Sequence, residues 1–174
     1  MFHARAPHEA YDQNHSQLGS AFRFRSSTPA SGNLSRKPLQ GGQGQSVEAF
    51  DPGSNTTTGT LSDGGWLNGT TVVVFNSGAF PTPIPTEVTF TSTFTLTTNH
   101  GQLSGSRIYL FDLVTGQGTT MVRIDPTTST GVFAGATGVL FFGLIKSTTV
   151  AVGPYYEVVS GQICFADGSE PPEG

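Results

Sequence analysis

The stretch Gly131-Val132-Phe133-Ala134-Gly135-Ala136-Thr137-Gly138, followed by Val139-Leu140-Phe141-Phe142, decides the fold expected for this chain. It places three glycines at four- and three-residue spacing inside an apolar run. Each glycine would cost a helix about 1 kcal/mol relative to alanine, so a helix is disfavoured here. In strands, glycines mark bulges, bends or a close approach of another backbone. The run therefore predicts a long strand over residues 131–145, bent at its glycines so that a sheet can close.

From about residue 58 onward, short apolar segments alternate with turn-forming residues, and no apolar stripe of helical spacing persists. The alternation is clearest from Glu87 to Thr97, where apolar residues face one side and threonines the other, as in a half-buried antiparallel strand. Strands are expected at about 58–67, 69–76, 86–98, 103–114, 119–125, 131–145, 147–153 and 154–165. Such a series without crossover helices predicts an all-β sandwich or barrel. The glycine-rich strand favours a single antiparallel closed β-barrel of about eight strands over residues 56–168.

Residues 1–55 differ in composition from the rest, being poor in aliphatic residues and rich in Ser, Gly, Gln, Asn and Pro. They show neither helical nor strand periodicity, so a disordered N-terminal arm is expected, with Gly41–Ser46 as a flexible linker. The arm is basic, and either a solvated tail or contact with an acidic partner would account for its charge. Residues 169–174 are expected to form a disordered tail.

The charge of the remaining chain excludes several classes of function. The 128 residues after position 46 contain ten acidic side chains and three scattered cations, Arg107, Arg123 and Lys146. Nucleic-acid binding needs clustered Lys and Arg, so no nucleic-acid partner is expected. The longest apolar stretch is shorter than the roughly 20 residues that span a bilayer, so no membrane partner is expected either. The sequence predicts a soluble protein. It leaves the compartment open, export included, although the N-terminus has no apolar signal-peptide core.

The second half of the chain resembles the allene oxide cyclase and dirigent barrels. The segments that carry the resemblance are His100–Leu103, Ile108–Asp112, Val122–Ile124, Ser129–Gly138 and the Tyr-rich strand Tyr155–Phe165. The resemblance implies an eight-stranded antiparallel barrel with an apolar cavity, and leaves a homo-oligomer such as a trimer open. It also implies ring closure of a fatty-acid epoxide or control of phenoxy-radical coupling. The cyclases' early-strand motif of acidic residues and asparagine has no counterpart here, so no catalytic residue is assigned.

Motifs that would indicate a cofactor or a metal are absent from the sequence. There is no G-x-S-x-G elbow, P-loop, G-x-G-x-x-G or C-x-x-C motif, and Cys164 is the single cysteine. Three histidines lie in the predicted arm at spacings that fit no ordered metal site, and His100 precedes a turn glycine. No cofactor and no metal are therefore expected.

Charges embedded in apolar strands are the candidate site residues, because a buried charge is costly unless it is paired. They are Glu87, Arg107, Asp112, Arg123, Asp125 and Glu157. A hairpin turn at Gly116-Gln117 would place residue 110 opposite 123 and put Asp112, Arg123 and Asp125 on one face. Inside a lumen this trio would position a polar ligand group; on the outside it would be a solvent-facing ion-pair cluster worth under about 1 kcal/mol. A one-residue slip in register would dissolve it.

The last predicted strand offers a second candidate pair. Glu157 alternates with Tyr155, Val159 and Ile163, so an inward-facing side would bring Tyr155 and Glu157 to the cavity. A structural Tyr–Glu contact or an exposed glutamate are the alternatives. Trp66 is expected to plug a barrel end or to stack on a ligand. The proline-rich segment 80–85 is read as a rigid loop across the barrel mouth or as a plain connection.

The sequence supports two functional hypotheses. In the first, the barrel binds a small apolar or aromatic molecule in its lumen and acts without a cofactor as an isomerase, cyclase or stereocontrol protein. Its candidate ligand-binding residues are Asp112, Arg123, Asp125, Tyr155 and Glu157. In the second, the chain is a non-enzymatic extracellular or surface structural module with a fully packed barrel. A cavity of about 300 Å³ or more distinguishes the first from the second.

Overall fold

The computed structural model describes residues 36–38, 44–147 and 153–166. Within these ranges the chain forms ten strands: β1 (Arg36–Pro38), β2 (Gly44–Asp51), β3 (Thr56–Ser62), β4 (Gly69–Phe75), β5 (Phe80–Pro81), β6 (Glu87–Thr98), β7 (Gly101–Asp112), β8 (Gly118–Ile124), β9 (Thr137–Ser147) and β10 (Tyr155–Cys164). Two single-turn 3-10 helices, Gly65–Leu67 and Gly131–Phe133, lie in connections. No helix in this described part of the chain is long and apolar enough to cross a membrane.

Eight of these strands form a closed antiparallel barrel in the order β10-β2-β3-β4-β6-β7-β8-β9. β9 closes it by pairing with β10, from Thr137 opposite Cys164 to Ser147 opposite Tyr155. β1 and β5 are short additions that pair with β10 and β6. The predicted all-β closed barrel is thus confirmed.

The barrel interior follows from the alternation of side chains along each strand. In β6, Phe94 and Leu96 are fully buried while the neighbouring threonines point outward, as the pattern from Glu87 to Thr97 predicts. β7, β8, β9 and β10 add inward-facing apolar side chains in the same way. The completely buried members are Leu103, Val122, Leu140, Phe142, Val159 and Ile163.

One end of the barrel is sealed by aromatic rings. Trp66, which is 3% exposed, packs against Phe133 and Phe165 with ring centroids 5.9 and 5.4 Å away. These residues belong to the connection after β3, the connection before β9 and the segment after β10. Trp66 therefore fills the core at this end, which agrees with the prediction that it plugs a barrel end.

The same end depends on the crossing of two glycines. Gly101 and Gly131 both have positive φ, and a Cβ on either would lie 2.4 Å from a carbonyl oxygen of the other segment. The crossing is held by backbone hydrogen bonds from Val132 N to His100 O and from Thr130 N to Gln102 O. The β8–β9 connection is thereby fixed on the β6–β7 hairpin.

The glycine-rich run serves a different purpose from the one predicted. Gly131 lies in a 3-10 turn and Gly135 in the following loop, and β9 begins at Thr137. The prediction of one bent strand over 131–145 is therefore wrong before residue 137. Gly138 does lie in the strand, where its close approach to Gln162 O belongs to the closing β9–β10 pair.

The predicted domain boundary also needs correction. Residues 44–51 form β2, an internal barrel strand between β10 and β3, although 1–55 was expected to be disordered and Gly41–Ser46 to be a linker. The expectations for residues 1–35 and for 169–174 lie outside the described residues. Of the strand expected at 147–153, residues 148–152 are likewise not described. The proline-rich segment contributes the two-residue strand β5, so it pairs with the sheet despite its prolines.

Candidate functional site

The interior of the barrel contains a buried ion cluster centred on Arg107. This side chain projects inward from β7 and is 1% exposed. Its Nη1 donates to both carboxylate oxygens of Glu48 on β2 at 3.1 Å, and its Nη2 donates to Oε1 of Glu157 on β10. Its Nε donates to Thr120 Oγ1 on β8 at 2.9 Å. The guanidinium group of Arg107 thus joins β7 to its neighbour β8 and to β2 and β10, which are distant in sequence.

Aromatic rings surround the guanidinium. Arg107 Cζ lies 4.4 Å from the ring centroid of Phe142, 4.6 Å from that of Tyr109 and 5.7 Å from that of Phe94. The faces of aromatic rings attract cations within about 6 Å. Burial alone would lower the pKa of Arg107, but the carboxylates of Glu157 and Glu48 outweigh that effect and raise it. Arg107 is therefore a permanent positive charge in the core.

The two carboxyl groups that meet this charge are unequally bonded. Glu48 accepts hydrogen bonds from Arg107 on both oxygens and a further one from Thr57 Oγ1 at 3.1 Å. Glu157 accepts Arg107 on Oε1, while its buried Oε2 makes no hydrogen bond of good geometry, although the Ser46 hydroxyl lies near enough to lower the pKa of Glu157. Glu157 is therefore the carboxyl that holds either the excess negative charge or a proton.

The environment of Glu157 favours the protonated form. Burial raises the pKa of Glu157 to about 7, against the opposing effect of the Arg107 charge and with a further upward push from Glu48. The phenol of Tyr109 is also buried and makes no hydrogen bond of good geometry, although the Ser92 hydroxyl lies close to it, and burial raises the pKa of Tyr109 as well. Such a group, a carboxyl that titrates near neutral pH in a dry site, can exchange a proton with a bound molecule.

A cavity of about 280 Å³ lies above the cluster at the barrel end opposite Trp66. Glu48, Thr57 and Glu157 line its buried part, and the exposed residues Asn55, Gly78 and Leu113 line its rim. Its walls are mainly aromatic: Phe50, Phe75, Phe90, Tyr109, Phe111 and Tyr155. Several of these rings pack on one another, with Phe90 and Tyr109 stacked at 4.4 Å. The cavity thus combines an aromatic wall with a carboxyl-bearing floor.

Two of the predicted site residues belong to this cavity. Glu157 and Tyr155 both line it, as the inward-facing reading of the last strand requires. Tyr155 is partly buried, packs edge-on against Phe111 at 6.3 Å, and has its pKa raised by burial. Glu157 is bonded to Arg107, which the sequence singled out as an embedded charge without assigning it a site.

The other three predicted residues lie outside the lumen. Asp112, Arg123 and Asp125 share a face with Ile108, Leu110 and Met121, but that face is the outer one, where these three apolar residues are 40–46% exposed. Neither ion pair found among the described residues involves Arg123. The prediction that this trio would meet inside the barrel is therefore wrong, and the outward-facing alternative fits the position of its residues.

The turn chemistry of Asp112 explains the register. Its Oδ1 accepts the backbone N–H groups of Val114 and Thr115 at 2.8 Å, which ends β7 and starts the turn two residues early. Leu110 consequently pairs with Thr119, four residues from the predicted partner 123. The Thr115 amide and the Thr86 hydroxyl lower the pKa of Asp112, and the Thr127 hydroxyl and amide do the same for Asp125. Each aspartate carboxylate thus accepts hydrogen bonds from the turn that follows its strand.

Glu48 is the site residue that sequence reasoning missed. β2 has an inverted pattern, in which Ser46 and Glu48 point inward and Val47 points outward. Hydrophobic alternation cannot identify such a strand, because its polar residues are the buried ones. The sequence feature that could have identified Glu48 is Arg107 itself. An arginine embedded in an apolar strand needs a buried carboxylate from another strand.

Comparison of the chain with protein-family models, with curated proteins and with solved structures finds no match. No group of three or more His, Cys, Asp or Glu side chains suited to a metal ion occurs in the described part of the chain.

Proposed function

We propose that this protein binds a small, largely apolar or aromatic molecule in the cavity at the open end of its barrel. The observation that carries the proposal is the unequal filling of the two ends. One end is packed with Trp66, Phe133 and Phe165, whereas the other contains a cavity of about 280 Å³ with aromatic walls. Unfilled apolar volume loses packing energy, so a small barrel that retains it is suited to receive a ligand. This volume is slightly below the about 300 Å³ expected of a ligand-binding barrel, so the unequal filling of the two ends, and not the volume alone, disfavours a fully packed structural module.

The cavity can be blocked without disturbing the core. Gly78 lines the rim, and a Cβ added there meets nothing within 4 Å. We expect Gly78→Phe to weaken binding of a hydrophobic probe dye at least about tenfold, since the ring occupies the ligand volume. Gly143→Phe is the matched control, because Gly143 is exposed on β9, outside the cavity, with equally open space.

Native mass spectrometry of freshly purified protein provides the complementary test. A co-purifying small molecule that is lost from Gly78→Phe but retained by Gly143→Phe supports the proposal. If no molecule is found and the dye also fails to bind the unmodified protein, the proposal is wrong.

Catalysis in the same cavity is the second candidate function. The resemblance to allene oxide cyclase and dirigent barrels implies isomerisation, ring closure or stereocontrol without a cofactor. Glu157 favours isomerisation and ring closure, because a cavity-lining carboxyl with a pKa near 7 can give and take a proton.

Once a ligand is identified, deuterium incorporation from heavy water tests this role of Glu157. Glu157→Gln is expected to abolish incorporation even at ligand concentrations that saturate the variant; incorporation at an unchanged rate would exclude this role.

A further inference from the structure

We propose that the cavity selects molecules whose aromatic or apolar body carries one protonated amine. This inference rests on the proposed function and specifies the chemistry of its ligand. It is carried by the charge balance of the ion cluster together with the aromatic walls above it.

The charge balance leaves one carboxyl without a counter-charge. Arg107 makes both ion pairs found among the described residues, one with Glu48 and one with Glu157. Two carboxyl groups therefore share one guanidinium inside a barrel where both glutamates are at most 3% exposed. A ligand cation would supply the missing positive charge, whereas a carboxylate ligand would add a second uncompensated negative charge at high cost.

The hydrogen-bonding capacity of the floor favours the same ligand. Glu157 Oε2 and Tyr109 Oη are both buried and make no hydrogen bond of good geometry, although the Ser46 and Ser92 hydroxyls lie near enough to lower the pKa of Glu157 and of Tyr109, respectively. Both residues line the cavity. An ammonium group carries three N–H donors, so it can donate to both oxygens once side-chain rotation brings these buried atoms to the cavity surface. An alcohol offers one donor and no charge, and therefore leaves the charge imbalance in place.

The walls add a third contribution. The rings of Phe50, Phe75, Phe111 and Tyr155 line the cavity beside the stacked pair Phe90 and Tyr109. The Tyr109 ring already contacts the Arg107 guanidinium at 4.6 Å, so the other rings are the ones open to a ligand cation. Ring faces attract organic cations, and they do so more strongly when water is excluded. An aromatic wall over a carboxyl floor thus matches a molecule that is apolar along its body and cationic at one end.

Binding of such a ligand is coupled to a proton. The groups that surround Glu157 are Glu48 on β2, Arg107 and Tyr109 on β7, and Tyr155 on its own strand. Because Arg107 stays charged, Glu157 is the group that gives its proton to the buffer when an ammonium ion arrives. The ligand's own N–H protons stay in place, so charge is balanced. Since burial raises the pKa of Glu157 to about 7, amine affinity should increase with pH up to that value and then level off.

Three size-matched probes test the inference: 2-phenylethylamine, 2-phenylethanol and 3-phenylpropanoate. At pH 8 we expect calorimetry on the full chain to show the amine binding at least about tenfold tighter than the alcohol, with the propanoate weakest. At pH 6, titrations in two buffers of different ionisation enthalpy should report release of about one proton per amine bound. The alcohol should release none.

Glu157→Gln should reduce amine affinity at least about tenfold at pH 8 and leave alcohol affinity within about twofold. Asp63→Asn is the charge-matched control, because Asp63 is exposed in the connection next to Trp66, and it should change neither. If the alcohol binds the unmodified protein as tightly as the amine, the ammonium inference is wrong and the proposed function stands. If none of the three probes binds and the dye also fails, both are wrong.

Discussion

At the scale of single residues, the ion cluster in the barrel core has two carboxyl groups and one guanidinium group. Burying Arg107 is costly, and Glu48 offsets much of that cost through a fully hydrogen-bonded carboxylate. Glu157 is the second carboxyl on the same guanidinium, and its Oε2 remains unpaired. A core selected for stability alone would not need it. Under the proposed function, Glu157 is therefore the residue at which stability and ligand binding compete.

This competition predicts an unusual pH dependence of stability. Burial raises the pKa of Glu157 to about 7 from an ordinary value of 4.5, so the folded protein binds this proton more tightly than the unfolded chain. The stabilisation is fully present below about pH 4.5 and is lost as the pH rises through 7, with an upper limit on the order of 3 kcal/mol. Urea unfolding should give a higher unfolding free energy at pH 5 than at pH 7.5.

Glu157→Gln provides the matched variant for this prediction. Its unfolding free energy should differ little between pH 5 and pH 7.5, because glutamine does not titrate. The pKa values of Asp51, Asp112 and Asp125 are lowered by local hydrogen bonds, so their stabilisation is lost only at more acidic pH. A wild-type protein that gains stability from pH 5 to pH 7.5 would contradict a protonated, buried Glu157.

At the scale of elements, two glycines hold a connection of the barrel against a hairpin. Gly101 starts β7 with φ +140°, and Gly131 opens the 3-10 turn with φ +61°. Each lies against the backbone of the other segment, so neither position has room for a side chain. The crossing ties the β6–β7 hairpin to the β8–β9 connection and thereby holds Phe133 in the sealed end.

Gly101→Ala should consequently destabilise the barrel by about 2 kcal/mol or more, because it combines an unfavourable φ with a 2.4 Å clash against Thr130 O. Gly143→Ala is the control. Gly143 lies in β9 with normal φ and open space, so its substitution should stay within about 0.5 kcal/mol. Urea midpoints of the two variants measure the difference, and equal midpoints would show that the crossing does not support the fold.

Much of the fold could be read from the sequence because most strands bury apolar residues on one face. β6 is the clearest case, with Phe94 and Leu96 inside and threonines outside. β2 could not be read in this way, since its buried residues are polar. The register of β7 on β8 was missed because the Asp112 cap moves the turn by two residues. For the same reasons, only part of the site could be predicted from the sequence. Glu157 follows the alternation of inward-facing residues along β10, whereas Glu48 can be recognised only from its long-range pairing with Arg107.

At the scale of the whole molecule, the two ends of the barrel differ in kind. One is closed by three packed aromatic side chains, and the other has a rim of exposed residues around an aromatic cavity. Under the proposed function, a ligand would enter and leave by this open end. Trp66 is the single tryptophan of the chain and lies at the closed end.

This arrangement makes Trp66 a reporter of folding that is insensitive to binding. Its emission should be blue-shifted in the native protein, because the side chain is 3% exposed, and should shift to the red in urea. Saturation of the cavity with a non-quenching probe such as 2-phenylethylamine should leave the emission maximum unchanged. A clear shift on binding would locate the ligand at the sealed end and contradict the proposed site.

The place of β10 in the sheet has a consequence for biosynthesis. Because β10 lies between β9 and β2, the ring of strands cannot be completed until the ribosome has made residues 155–164. Until then β2 and β9 are edge strands of the nascent chain, and their unpaired backbone groups can pair with any extended segment nearby. Newly made chains should therefore depend on chaperones up to that moment, and a premature stop before β10 should yield aggregates instead of a smaller barrel.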